Sequence, residues 1–125
     1  MIITSENNKG TEKYAELENK FGIKFITLPD YEFSVSDILR ELGKAKIDSV
    51  LLEGGEKMIS KAFKEKVIDG GEIFISEKIL GDNSGKSFIS GFSTEKISDS
   101  ITLKNIKYNL YGNNIGVEFE LWEIS

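Results

Sequence analysis

The stretch from Val50 to Phe63, VLLEGGEKMISKAF, joins an apolar run to an amphipathic one through a glutamate and two glycines. The apolar run, Ile47 to Leu52, ends in a non-alternating Val-Leu-Leu. That pattern suits a strand covered on both faces. Beyond the glycines, Met58, Ile59, Ala62, Phe63 and Val67 recur at helical spacing, so a helix is expected from about Gly55 to Val67. A buried strand that turns directly into a helix is the unit of a parallel α/β sheet. The carboxyl end of such a strand is also where open α/β sheets bind ligands.

The flanking sequence extends the alternation. Met1 to Ser5 is short and β-like, and Gly10-Thr11 opens a helix with Tyr14, Leu17 and Phe21 on one face and Gly22 as its stop. Ile23 to Leu28 reads as a strand ended by Pro29-Asp30. Ser34 caps a second helix, supported by Asp37 three residues on, with Val35, Ile38, Leu39 and Leu42 as its buried stripe and Gly43 as terminator. After the third helix, Asp69-Gly70-Gly71 leads into a strand from Glu72 to Leu80, with Ile73, Ile75 and Ile79 on one side. A polar loop runs from Gly81 to about Ser100. Two alternating runs, Ile101 to Leu110 and Val117 to Glu123, close the chain around Tyr111-Gly-Asn-Asn114, which is hairpin chemistry. The expected order is a parallel βαβαβαβ followed by an antiparallel C-terminal hairpin, in one mixed sheet with helices on both faces. At 125 residues this is read as a single domain spanning 1–125.

Composition removes several chemistries. With no cysteine and no histidine, there is no disulfide, thiol nucleophile, imidazole base or ordinary zinc site. A metal would need carboxylates, yet no calcium loop is recognisable, so no metal is assigned. The net charge of −5 and a single arginine, Arg40, argue against a nucleic-acid partner. No uncharged stretch is long enough to span a membrane and no signal peptide is recognisable, so a cytoplasmic protein is expected.

Two glycine motifs invite phosphate. In Gly81-Asp-Asn-Ser-Gly-Lys86-Ser87 only three residues separate the glycines and no helical pattern follows, so it reads as a solvated loop rather than a P-loop. Glu53-Gly54-Gly55 is better placed, because the first helical turn offers unpaired N–H groups and a partial positive charge. Gly55 lets a pyrophosphate approach the backbone, Lys57 and Lys61 add charge at the rim, and Glu53 can accept from sugar hydroxyls. The competing reading is a tight turn that needs positive φ, with Glu53 as a surface residue and Glu56 as a helix-start carboxylate. Spacing alone leaves both open.

Ile47-Asp-Ser-Val-Leu-Leu-Glu-Gly-Gly-Glu56, followed by Val67-Ile-Asp-Gly-Gly-Glu-Ile-Phe-Ile-Ser-Glu-Lys-Ile-Leu-Gly81, resembles the reductase domain of the bifunctional riboflavin-biosynthesis deaminase/reductase. Gly70 stands where that family usually has a glutamate, and Glu77 where it has a proline. The resemblance covers nearly the whole chain and implies a dihydrofolate-reductase-like fold. It implies NADPH-dependent reduction of 5-amino-6-(5-phosphoribosylamino)uracil to its ribitylamino form, with a phosphorylated pyrimidine as substrate. It puts Glu53 in the substrate site and the segment Gly54, Gly55, Glu56, Lys57, Met58, Ile59, Ser60 and Lys61 along the NADPH site. It also implies a cis peptide between Gly54 and Gly55. No residue here is given a catalytic role, since hydride transfer needs no protein nucleophile.

The family's domain begins upstream of a strand like Met1–Ser5, and that upstream part carries the arginines that grip substrate phosphate. The expectation is therefore a C-terminal portion of a reductase domain, incomplete for catalysis on its own. The C-terminal hairpin is exposed on one face through Glu118, Glu120 and Trp122, which fits either a homodimer through these strands, as the same resemblance implies, or an ordinary sheet edge protected by glutamates. The alternative from another class is a non-catalytic nucleotide-binding or self-associating α/β module. Dihydrofolate reductase itself shares the paired glycines but fits Glu53 and the Val67–Gly81 block poorly.

Overall fold

The computed structural model describes residues 1–29, 33–82, 84–93 and 95–121. Asp30, Asn83, Trp122 and Glu123, which figured in the readings above, lie outside these. The architecture is mixed α/β, in two compact units, Met1–Leu52 and Glu53–Ser125.

In the first unit, β1 (Ile2–Ser5) pairs in parallel with β2 (Phe25–Leu28), and α1 (Glu12–Phe21) connects them. Thr11 caps α1 by accepting the Tyr14 N–H, and Gly22 ends it at φ 63°, the left-handed conformation glycine adopts without strain. Tyr14 stacks on Phe25 with ring centroids 4.0 Å apart, which fastens the helix to the sheet. α2 (Val35–Lys44) has the expected capping box: the Asp37 N–H donates to Ser34 Oγ at 2.9 Å, and the Ser34 N–H donates to the Asp37 carboxylate at 3.1 Å. Bonds from the Ser34 hydroxyl and N–H, then from Arg40, hold the Asp37 carboxyl below its usual range. Leu28, Val35 and Leu42 are the buried side chains here.

Gly43 does not end α2, which continues to Lys44 and stops because Lys46 turns left-handed at φ 61°. The Ile47 N–H then closes on the Leu42 carbonyl. The third helix, α3 (Glu56–Lys64), ends the same way: Lys66 has φ 57° and the Val67 N–H bonds to the Ala62 carbonyl. Both ends thus use a side-chain-bearing residue where glycine is preferred. Lys46→Gly and Lys66→Gly are each expected to stabilise by about 0.5–1 kcal/mol, the relieved strain outweighing glycine's extra unfolded-state freedom. Urea unfolding of each variant checks this, and a lowered midpoint would mean that the lysine charges at the helix ends matter more than the strain.

In the second unit the strands are β3 (Gly70–Ile75), β4 (Lys104–Tyr111) and β5 (Asn114–Glu120), in an antiparallel sheet of order β3-β5-β4. β4 and β5 meet at a two-residue turn whose first central residue, Gly112, has φ 62°. That tight turn places Asn114 opposite Tyr111, so β5 starts earlier than its apolar alternation, which begins at Val117. β3 stops at Ile75 because its partner Ile115 is nearly at that turn, which leaves Ile79 and Leu80 outside the sheet and exposed. Asn105, at φ 48°, sits in a bulge between Lys104 and Lys107. Ala62 on α3 and Phe119 on β5 are the buried centre.

Two glycines in this sheet are there for space. A Cβ on Gly70 would lie 2.5 Å from the Phe119 carbonyl oxygen, so a glutamate does not fit this strand entrance. A Cβ on Gly116 would overlap the Glu72 carboxylate and come within 2.7 Å of the Tyr111 ring. Tyr111 hydrogen-bonds to Glu72, and that bond, with the burial and charge around it, raises the phenol above its ordinary pKa.

Two expectations fail together. Ile47–Leu52 forms no strand, and the parallel and antiparallel strands belong to two separate sheets rather than one with helices on both faces. Val50-Leu51-Leu52 carries the composition of a doubly covered strand, yet Leu51 is 83 % exposed. A strand of that type is stabilised only by neighbours on either side, and none is paired with it among the described residues.

Candidate functional site

The site predicted from sequence lies at the start of α3, within the second unit. Gly55 is its N-cap at φ −73° and ψ 172°, and no side chain caps the helix. Met58 and Ile59 N–H groups both bond to the Gly55 carbonyl, so the N–H groups of Gly55, Glu56 and Lys57 precede the first intrahelical bond. A Cβ added to Gly55 would meet nothing within 4 Å. The N-terminus of α3 is therefore bare backbone facing open space, with the positive end of the helix dipole behind it.

Two features expected of the glycine pair are absent. Neither Gly54 nor Gly55 adopts positive φ, and no peptide bond among the described residues is cis. The junction is an ordinary extended-to-helical step, which a trans peptide and any L-residue can make. The tight-turn explanation for the glycines therefore falls away, and crowding does not account for Gly55 either.

The remaining predicted residues divide by helix face. Glu53 and Lys57 are exposed, while Gly54, Glu56 and Lys61 are half-buried. Lys57 and Lys61, four residues apart, lie on one side of the helix, and Lys61 is engaged by a neighbour. Met58 is exposed at 38 % and Ile59 half-buried, so the inward stripe is carried by Ala62 more than by Met58. Ser60 is only 6 % exposed, and its Oγ accepts the Ser90 N–H at 2.8 Å. Its hydroxyl thus serves the 81–103 loop. That role was readable in principle: a serine among Ile59, Ala62 and Phe63 on the apolar stripe must find a partner when buried.

The chain matches the RibD C-terminal domain over residues 1–117, a span that includes the whole α3 junction and every strand except the last three residues of β5. The chain belongs to the RibD C-terminal domain family. Among similar proteins, the riboflavin biosynthesis protein RibD of Actinobacillus pleuropneumoniae is 29 % identical over 85 residues, which is 68 % of this chain and 23 % of that protein. The protein of the same name from Aquifex aeolicus (strain VF5) is 25 % identical over 120 residues, 96 % of this chain and 31 % of that protein. The chain thus spans 23 to 31 % of the length of the curated relatives it matches. Glu53-Gly54-Gly55 stands at the head of α3, which is the one of the three α-helices among the described residues that no side chain caps. No helix among the described residues is long and apolar enough to cross a membrane.

Proposed function

We propose that this chain forms the α3 side of a dinucleotide site in a riboflavin-biosynthesis reductase. The reaction is the NADPH-dependent conversion of the ribosyl group of 5-amino-6-(5-phosphoribosylamino)uracil to ribityl. The single observation that supports it most is the bare, uncapped N-terminus of α3, where Gly55 is small without a backbone reason to be. The donor set fits a pyrophosphate: three main-chain N–H groups and a helix dipole, reinforced by Lys57, in a protein that is acidic overall.

NADPH, when bound, supplies the hydride. The chain's own residues hold and orient. Gly55, Glu56 and Lys57 donate main-chain N–H bonds to phosphate oxygens. Glu53, immediately before the glycines, accepts from the sugar hydroxyls of the substrate and fixes the reacting carbon. The gain is one of positioning, since a near-attack geometry replaces a bimolecular encounter.

Calorimetric titration of the chain with NADPH, and separately with NADH, tests the reading. Saturable heat with NADPH is expected. Absence of heat with either dinucleotide would show that these amides alone do not make a site.

A further inference from the structure

Within the second unit, α3 and the inner face of the three-stranded sheet do not close fully on each other. Phe63 from the helix, Ile73 from β3 and Phe119 from β5 face a cavity of about 300 Å³. Its remaining wall is the loop between β3 and β4, through Phe88, Ile89 and Phe92. That volume is about ten times the share of one water in the liquid, and apolar walls give water few hydrogen bonds. It also falls at the lower end of the range for small-molecule sites.

The loop is fastened over the helix at Ser90 and Phe92 and passes close to it at Gly91 between them. Ser90 donates its N–H to buried Ser60. Gly91, at φ 73°, passes so close to Lys64 that a Cβ would lie 2.8 Å from the ammonium nitrogen. Phe92 holds its ring 5.5 Å from that same nitrogen, a cation–π distance. Roof and helix are thus tied together while the space beneath stays open. Phe88 is 51 % exposed, which leaves a mouth beside it.

The chemistry of the lining selects the occupant. Four phenyl rings favour a flat aromatic guest, stacked or edge-on. Among the described residues, no buried side-chain nitrogen or oxygen lacks a hydrogen bond, so no polar group inside calls for a polar ligand. At the mouth, Asp99 and Ser100 offer oxygen acceptors. Lys64 and Lys66 border an adjoining cavity of about 290 Å³ that shares Phe63, Phe92 and Asp99. Asp99 and the negative end of α3 border the same space, so its charge is mixed and does not single out an anionic guest.

We propose that this cavity is a binding site for a small uncharged aromatic molecule of one or two rings, carrying at most one hydrogen-bond donor, which Asp99 accepts at the mouth. The site is separate from the dinucleotide site and does not depend on it.

Indole is the probe. Titrated into the chain and followed by NMR, it is expected to give saturable shifts at the Ile73, Ile89 and Leu103 methyls, with intermolecular NOEs to the Phe63 and Phe119 rings. Ile89→Trp, a substitution in the roof loop that fills the space, is expected to weaken indole at least tenfold. No saturable shift up to the solubility of indole, NOEs to side chains elsewhere, or undiminished affinity in a folded Ile89→Trp variant would each overturn the proposal. Should that variant not fold, the NOEs of the unsubstituted chain decide alone.

Discussion

Gly55→Val is expected to abolish dinucleotide binding while the chain stays folded. At φ −73° and ψ 172° the backbone already sits where β-branched residues are comfortable, and a Cβ there touches nothing within 4 Å. The internal cost is limited to a poorer N-cap, about 1 kcal/mol or less. The two added methyls instead project into the space that a phosphate must enter to reach main-chain N–H groups at about 2.9 Å. Losing those bonds is expected to weaken NADPH at least about 100-fold, or roughly 2.7 kcal/mol. Calorimetry with NADPH measures the loss, and a thermal melt within a few degrees of the unsubstituted chain shows that it is not unfolding. Gly55→Ala should fall between the two. Wild-type affinity in a folded Val variant would place the cofactor elsewhere and leave the glycine unexplained.

What the sequence made legible was local. The Ser34–Asp37 capping box, the Thr11 and Gly22 ends of α1, and the Gly112 turn are all decided by residues within five positions of one another. Short-range signals of this kind carry their own physics, as side chain bonds to backbone or glycine takes a left-handed φ. The helix ends at Lys46 and Lys66 were not legible, because lysine gives no sign of the strain it accepts there. Ile47–Leu52 failed for the opposite reason. Its composition states a need for two flanking strands, and whether they are present is a non-local fact that no window of the chain contains. At the candidate site the placement of Glu53-Gly54-Gly55 before a helix was readable. That neither glycine needs its conformational freedom was not, and it removes a tight turn as the reason for Gly55.

Glu53→Ala is expected to separate binding from chemistry. Glu53 is exposed and lies two residues before the helix cap, so its carboxylate and the α3 amides would present opposite charge to a ligand that approaches there. A phosphate is repelled by the one and attracted by the other, which on the proposed reading would direct cofactor phosphates to the Gly55 side and leave neutral hydroxyls for Glu53. Removing the carboxylate therefore leaves the dinucleotide contacts in place, and NADPH affinity should stay within about threefold. Turnover should fall on the order of 100-fold, the scale expected when a reacting centre loses its alignment. Steady-state oxidation of NADPH with the phosphoribosylamino-pyrimidine, in a form of the protein that turns over, reads kcat and KM separately. Glu53→Gln, which keeps the shape and one acceptor oxygen, should recover part of kcat if hydrogen bonding to sugar is the role. Equal losses in the alanine and glutamine variants would point to charge instead, and unchanged kinetics in both would remove Glu53 from the substrate site. Since the Gly55 and Glu53 substitutions strike adjacent contacts with opposite signatures, loss of affinity in one and loss of rate in the other would locate the cofactor and substrate on either side of a single glycine.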